Sequence, residues 1–261
     1  MNNAISQKSN NMKWLMMMVL VLGLSSHSYA QNKVPAGAAI LMKAYPDYVK
    51  DYKDGYLMMA DCTKILYDDK KEKTFVQKLD DADPEDMFAF KYDRKAEKPD
   101  YLQDAGRRRC EQLFKNMYGN SDGQGRKNLV RVPWFGETVL FTKINHADDS
   151  LRAVAAEISK HPDLKPYLKS SGTFYWRQVR GAKRLSAHSY GMTIDVGVKY
   201  SDYWLWKNPN KSETDKLVYA NKFPKKLVEI FERHGFIWGG RWYHYDTMHF
   251  EFRPEILRAN P

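Results

Sequence analysis

The chain has 261 residues, a hydrophobic share of 43% and a formal net charge of +10. This length is enough for one large domain or for one domain with a substantial appendage, and the chain can bury a real core. The positive charge either attracts an anionic partner or serves only to keep the protein soluble.

Residues 1–30 have the pattern of a secretory signal peptide. Lys8 and Lys13 precede an apolar run from Trp14 to Leu24, and SYA at 28–30 resembles a cleavage site. The run is about 11 residues, against the roughly 20 that span a bilayer. We therefore predict an exported protein, periplasmic or secreted, with no membrane span after signal removal. A retained N-terminal anchor is the alternative. Export argues against nucleic acid as a partner, and the sequence carries no signal for oligomeric state.

The two cysteines, Cys62 and Cys110, fit an oxidising compartment. If they pair, they close a loop of about 49 residues, and the chain-entropy model gives such a bridge about 4 kcal/mol. The alternative is that both are small buried apolar groups.

The N-terminal region, residues 31–125, is predicted to be mostly helical. Its clearest helical pattern lies within 99–118, where apolar residues recur at i, i+3, i+4 and i+7: Cys110, Leu113, Phe114 and Met117. The acidic stretch DADPEDMFAF at 81–90 could bind a cation, but a solvated loop leading into a helix is the simpler interpretation. The stretch GNSDGQGRKN at 119–128 has three glycines and no apolar residue, so it is the best candidate for a boundary or a flexible connection.

After this stretch, TVLFTKI at 138–144 has the pattern of a strand. Asp148 or Asp149 can cap the helix that follows. A second helix is predicted to start at Pro224 and to end at Gly235. The apolar faces of these two helices are Leu151, Val154, Ala155 and Ile158 in the first, and Leu227, Ile230 and Phe231 in the second.

The stretch SAHSYGMTIDV, 186–196, contains a candidate metal site. A continuous strand would hold His188 and Asp195 roughly 23 Å apart, so a turn must bring them together. Gly191 can take the backbone angles that such a turn needs. Beyond it, Ile194, Val196 and Val198 alternate with polar or small residues, so Asp195 is predicted to face away from the core.

The C-terminal stretch GFIWGGRWYHYDTMHFEF, 235–252, offers a third ligand. Met248, Phe250 and Phe252 alternate with Thr247, His249 and Glu251, so His249 shares a face with polar neighbours. Two histidines and one carboxylate match the ligand count of catalytic zinc, which keeps a fourth position open. Asp246 is a candidate base, although strand parity turns it away from His249 unless the strand begins after it or carries a bulge.

These residues resemble the zinc D,D-carboxypeptidases and L-alanyl-D-glutamate endopeptidases of bacterial cell walls, which include VanY-like enzymes and phage endolysins. The family pattern S-x-H-x-x-G-x-A-x-D is similar to Ser186, His188, Gly191 and Asp195. Its G-F-x-W-G-G-x-W and D/E-x-x-H-F motifs resemble 235–242 and 246–250. The sequence departs from the pattern at Thr193, where alanine is usual, and near Gly197.

The resemblance implies a role for each residue of the site. His188, Asp195 and His249 would bind one Zn2+, and Asp246 would be the general base. Arg177 would stabilise charge on the carbonyl oxygen, with Arg180 as its rival. Ser186, Trp238 and Trp242 are candidates for substrate binding, although both tryptophans fit a core position equally well.

The implied fold is α+β, with a small antiparallel sheet flanked by helices as in the Hedgehog domain, and a zinc peptidase domain over residues 126–261. The implied reaction is hydrolysis of a peptide bond in the peptidoglycan stem. Asp rather than Glu at 246 favours the L-Ala-D-Glu endopeptidase, and the D-Ala-D-Ala carboxypeptidase is the alternative. A non-catalytic wall-binding module stabilised by zinc is the rival of another class.

Overall fold

The computed structural model describes residues 33–261, so the predicted signal peptide lies outside the described residues. Helices flank small antiparallel sheets, which confirms the α+β class. The helices are α1 Ala36–Ala44, α2 Phe75–Asp80, α3 Glu111–Tyr118, α4 Asp122–Lys127, α5 Ala147–Ile158, α6 Trp204–Lys207, α7 Lys225–Arg233 and α8 Pro254–Ala259. The strands are β1 Val49–Lys53, β2 Tyr56–Met59, β3 Lys64–Leu66, β4 Leu129–Trp134, β5 Glu137–Thr142, β6 Ser170–Gly172, β7 Thr193–Val196, β8 Phe236–Trp238 and β9 His249–Phe252. No helix in 33–261 is both long enough and apolar enough to span a bilayer.

A four-stranded antiparallel sheet, in the order β6-β7-β9-β8, forms the centre of the C-terminal half. Successive side chains of a strand point to opposite faces. Ile194 and Phe250, which are paired across β7 and β9, are fully buried in the core. Thr193, Asp195, His249 and Glu251 consequently share the opposite face. Val198, predicted to face the core, is instead 43% exposed, because Gly197 at φ +61° ends the strand before it.

One buried core joins the N-terminal region to the rest of residues 33–261. Leu41 of α1 and Phe114 of α3 belong to the same apolar cluster as Phe231 of α7. The Phe114 ring lies 5.6 Å from that of Tyr190, next to the predicted metal site. The elements of residues 33–125 are therefore packed onto the sheet that carries the site.

The N-terminal region contains a three-stranded antiparallel sheet, β1-β2-β3, beside its helices. This sheet was not predicted from the sequence. Its strands are only three to five residues long, and β1 is largely polar and exposed. The helix predicted within 99–118 is confirmed only from Glu111 onward. Leu113, Phe114 and Met117 form its buried face as predicted.

The glycine-rich stretch 119–128 is an ordered connection that includes α4. The Ser121 side chain accepts a hydrogen bond from the backbone N–H of Gln124 and so caps this short helix. A Cβ on Gly125 would lie 3.1 Å from the Phe174 ring. The glycine thus allows α4 to pack closely against that ring.

The two helices predicted after this stretch are present, with one difference in a cap. The residue before α5 is His146, in the left-handed conformation, so the predicted caps Asp148 and Asp149 lie inside the first turn. Carboxylates there stabilise the helix through its dipole. In α7, which follows Pro224, all three predicted apolar residues are buried, and Gly235 beyond its end has φ +91°.

The acidic stretch 81–90 contains a short 3-10 helix and borders an internal ion pair. Asp83 and Asp86 lie 3.4 and 3.2 Å from Nζ of Lys73. The ammonium group of Lys73 thus already supplies a positive charge among these carboxylates, and this accounts for their clustering without a metal.

Cys62 and Cys110 are both free thiols in the structure. Cys62 is exposed, whereas burial raises the pKa of the Cys110 thiol to about 12. Since the thiolate is the reactive form, we expect one thiol per folded chain to react with a chromogenic disulfide reagent at pH 8. In a denatured chain both thiols should react. If the unreduced protein shows no thiol even in denaturant, the two cysteines are bonded and this prediction is wrong.

Candidate metal centre and its cleft

The structure brings together the three predicted metal ligands, His188, Asp195 and His249. Nε2 of His188 lies 3.2 Å from Oδ2 of Asp195, and Nδ1 of His249 lies 2.9 Å from Oδ1 of the same carboxylate. One donor atom from each residue falls within 4.8 Å of the other two. The three side chains can therefore hold one metal ion between them.

Strand pairing and one turn place these side chains. Asp195 on β7 is directly opposite His249 on β9, so their side chains are neighbours on one face of the sheet. His188 lies in the 3-10 helix Ala187–Tyr190, and Gly191 ends that helix with φ +66°, the left-handed conformation that the sequence predicted. A Cβ on Gly191 would lie 2.5 Å from Leu129, so the close packing also requires glycine.

The hydrogen bonds of His188 determine which of its nitrogens faces the metal position. Its Nδ1 lies 3.0 Å from the carbonyl oxygen of Thr173 and 2.9 Å from Oγ1 of Thr193. Because a carbonyl oxygen can only accept a hydrogen bond, Nδ1 carries the proton. Nε2 then has the lone pair that can bind a metal ion. Thr193, which replaces the usual alanine of the family pattern, thus adds a polar contact behind a ligand and does not compete with it.

His249 has a carboxylate at each ring nitrogen. Nδ1 faces Asp195, and Nε2 lies 3.2 Å from Oε2 of Glu251. Burial alone would lower the pKa of His249, but the hydrogen bonds and charges of Asp195 and Glu251 raise it to about 10. Glu251 had no predicted role. Its place on the same strand face as His249, two residues further along, is the sequence signal that could have identified it.

Asp246 lies just before β9, whose first residue is His249. This resolves the conflict with strand parity, because the strand begins after Asp246. Its backbone N–H donates to Gly239 O at 3.0 Å, and its own carbonyl accepts from the His249 N–H at 3.2 Å. Its Oδ1 is buried without a hydrogen-bond partner among the described residues. Removal from water and the nearby negative charge of Asp195 raise the pKa of Asp246 to about 7.

Residues 180–252 match the family model described as D-alanyl-D-alanine carboxypeptidase. This segment carries the signature of that peptidase family. The match includes the three predicted metal ligands and Asp246, confirms the resemblance found in the sequence, and supports a cell-wall peptidase. Arg177 and all of the N-terminal region lie outside it. No curated protein and no solved structure matches the chain.

The predicted metal site opens into a cleft of about 440 Å³. Asp246 and the three predicted ligands lie in its wall together with Arg177, Arg180, Ser186, Tyr203, Trp206 and Trp242. Five arginines line the cleft: Arg107, Arg109, Arg177, Arg180 and Arg184. Three of them, Arg107, Arg109 and Arg184, are paired with carboxylates. Arg177 and Arg180 have no carboxylate partner among the described residues, and their positive charges favour a substrate that carries carboxylates.

The predicted substrate-binding residues do not all lie in this cleft. Trp242 packs 5.5 Å from the His249 ring, and Ser186 is buried at the start of the helix that carries His188. Trp238 instead borders a separate cavity, and its indole N–H donates to Thr247 O at 2.8 Å. Trp238 therefore holds the backbone just before β9 without lining the cleft.

Proposed function

We propose that this protein is an exported, zinc-dependent peptidase that hydrolyses a peptide bond in the peptidoglycan stem. The observation that carries the proposal is the convergence in one cleft of two imidazoles, one carboxylate and the Asp246 carboxylate, whose Oδ1 has no hydrogen-bond partner among residues 33–261. A wall-binding module would need no such second carboxylate. The matched family supports the same substrate class.

The donor set fits zinc. Tetrahedral zinc with bonds of about 2.0–2.1 Å to nitrogen and oxygen holds its donors about 3.3 Å apart. The Asp195 carboxylate lies 3.2 and 2.9 Å from the two histidine nitrogens. His188 would bind through Nε2 and His249 through Nδ1. When bound there, zinc would lower the pKa of a water molecule and polarise the scissile carbonyl.

Asp246 supplies the proton transfers. With a pKa of about 7, its carboxylate is matched to general-base work near neutral pH. It would take a proton from the attacking water and deliver it to the leaving amine as the C–N bond breaks. No hydrogen bond to Oδ1 competes with this role among the described residues.

Arg177 is better placed than Arg180 to stabilise the negative charge on the carbonyl oxygen. The Arg177 backbone is hydrogen-bonded to Ser189, the neighbour of His188: its N–H donates to Ser189 Oγ at 3.0 Å, and its carbonyl accepts from the same hydroxyl at 2.9 Å. Arg180 lies at the far end of the hairpin, next to the turn at Gly181. Arg177 is thus anchored beside a predicted metal ligand, whereas Arg180, which also lines the cleft, lies farther along the chain beside the turn.

We favour the L-Ala-D-Glu bond, because aspartate at the base position resembles the endopeptidases. The second candidate is the D-Ala-D-Ala carboxypeptidase named by the matched family. A carboxypeptidase must bind a terminal carboxylate. Arg180, which has no carboxylate partner among residues 33–261, is available for that contact.

Digestion of defined muropeptides, followed by mass spectrometry, tests the proposal. Scission after L-Ala supports the endopeptidase, and loss of terminal D-Ala supports the carboxypeptidase. No change with a zinc-loaded protein would overturn the peptidase assignment and favour a wall-binding module.

Arg177→Ala should lower kcat by about 10²–10³-fold, the usual effect of removing one group that stabilises the oxyanion. Arg180→Ala is the matched control, since both arginines are exposed on one hairpin. It should raise KM and leave kcat within a few fold. Steady-state kinetics on the cleaved muropeptide would measure both. A larger fall in kcat for the Arg180 variant would reverse the two roles.

A further inference from the structure

Glu251 connects a metal ligand to two buried arginines. One carboxylate oxygen, Oε2, faces Nε2 of His249 at 3.2 Å and Nη1 of Arg109 at 3.5 Å. The other, Oε1, accepts from Nη1 of Arg253 at 2.8 Å. Glu251 and Arg253 are both fully buried. A carboxylate held in this way accepts a hydrogen bond from a protonated Nε2 of His249. The lone pair of that ring is then on Nδ1, which faces the metal position.

Arg109 comes from outside the segment that matches the peptidase family. It lies two residues before α3, and 142 positions separate it from Glu251. Its Nη2 also donates to the carbonyl oxygen of Leu185 at 3.4 Å, while Oε2 of Glu111 accepts from the Leu185 N–H at 2.8 Å. Leu185 directly precedes Ser186 and the helix that carries His188. The start of α3 therefore contacts both chain segments that supply histidine ligands.

We propose that Arg109 is a positioning residue for the metal centre, acting through Glu251, so that the N-terminal region is part of the functional site. The metal's identity as zinc rests on the proposed function above. Groups that hydrogen-bond to a ligating histidine typically change metal affinity by about 10–100-fold. Arg109 acts one contact further away, so its loss should weaken zinc binding by about tenfold.

The test is the zinc dissociation constant of Arg109→Gln, measured without substrate by competition with a chromogenic chelator. Arg108→Gln is the matched control, because Arg108 is adjacent and buried but lies over the Phe90 ring, and it forms no ion pair with a carboxylate of residues 33–261. We expect about tenfold weaker binding for Arg109→Gln, less than twofold change for Arg108→Gln, and partial recovery in Arg109→Lys. Circular dichroism and thermal melting establish that each variant is folded.

A double-mutant cycle tests whether Arg109 acts through Glu251. Glu251→Gln alone should weaken zinc binding by about 10–100-fold. Adding Arg109→Gln to it should then have little further effect. An unchanged affinity in Arg109→Gln, a change equal to that of Arg108→Gln, or full additivity with Glu251→Gln would overturn the proposal. If Arg109→Gln does not fold, Arg109→Lys takes its place in the cycle. Its smaller loss of zinc affinity should then disappear on the Glu251→Gln background, and an unchanged affinity or full additivity would overturn the proposal.

This experiment and the muropeptide digestion can fail independently. Zinc affinities that follow the expected pattern in a protein that cleaves no muropeptide would support the positioning role and overturn the peptidase. An active enzyme whose zinc affinity does not change when Arg109 is substituted would support the peptidase and overturn the positioning role of Arg109.

Discussion

Asp246→Ala is expected to lower kcat by about 10²–10⁴-fold, the range that a positioned general base contributes, while the protein retains one zinc per chain. The carboxylate lies in the cleft beside the three ligands but is not one of the cluster that can hold the metal. Proton transfer should therefore be lost and metal binding kept. Kinetics on a cleaved muropeptide and elemental analysis of the same preparation measure the two effects.

The same variant should be at least as stable as the parent chain. Oδ1 of Asp246 is buried and has no hydrogen-bond partner in the described part of the chain, and a buried polar atom left unsatisfied costs about 1–3 kcal/mol. Its negative charge also lies near that of Asp195, which is one cause of its raised pKa. Removing a functional group that destabilises the folded state raises the melting temperature while activity falls.

Asp246→Asn is the control for shape, since it keeps the size of the side chain and removes its basicity. It should be as inactive as the alanine variant. Loss of zinc in either variant would make Asp246 a ligand, and activity within tenfold of the parent would remove it from the proton-transfer role.

The predictable part of the fold was the part with strong periodicity. α7 and its buried face followed from the spacing of Leu227, Ile230 and Phe231, and Gly191 followed from the need for a turn between two ligands. The sheet β1-β2-β3 was not predicted, because three short strands with exposed lysines and aspartates show little alternation of apolar and polar residues. The start of α5 was predicted too late, because His146 precedes the helix in a left-handed conformation that the sequence does not indicate.

The candidate site was predictable where each side chain's role depends on its own neighbours in sequence. The three ligands and Asp246 lie in two short motifs. Arg109 could not be placed, because its partner Glu251 is 142 positions away and only the packing of α3 onto the sheet brings them together. Trp238 and Trp242 have similar surroundings in sequence but border different cavities, a distinction that requires the course of the backbone between them.

Asp195→Ala should abolish both stoichiometric zinc binding and turnover. Asp195 is the only carboxylate of the described ligand cluster and contacts both histidines. Its loss leaves only two imidazoles, whose ring centroids are 5.2 Å apart. Elemental analysis after dialysis and kinetics on a muropeptide measure the effect. Zinc that binds only the native state stabilises it, by about 2.7 kcal/mol at a hundred times the dissociation constant. A chelator should therefore lower the melting temperature of the parent chain and leave that of the variant unchanged.

Asp202→Ala separates loss of the metal from general damage to the fold. Asp202 is also a buried aspartate near the cleft, but it pairs with Lys207 and Lys222 and contacts neither histidine ligand. This control should keep its zinc and its sensitivity to the chelator, even if its melting temperature falls. If Asp195→Ala retained one zinc per chain, or if the parent chain held none, the two imidazoles and the carboxylate would be an internal hydrogen-bonded cluster rather than a metal centre. Hydrolysis would then need another source of positive charge, because the carboxylate of Asp246 cannot stabilise the negative charge that develops on the carbonyl oxygen.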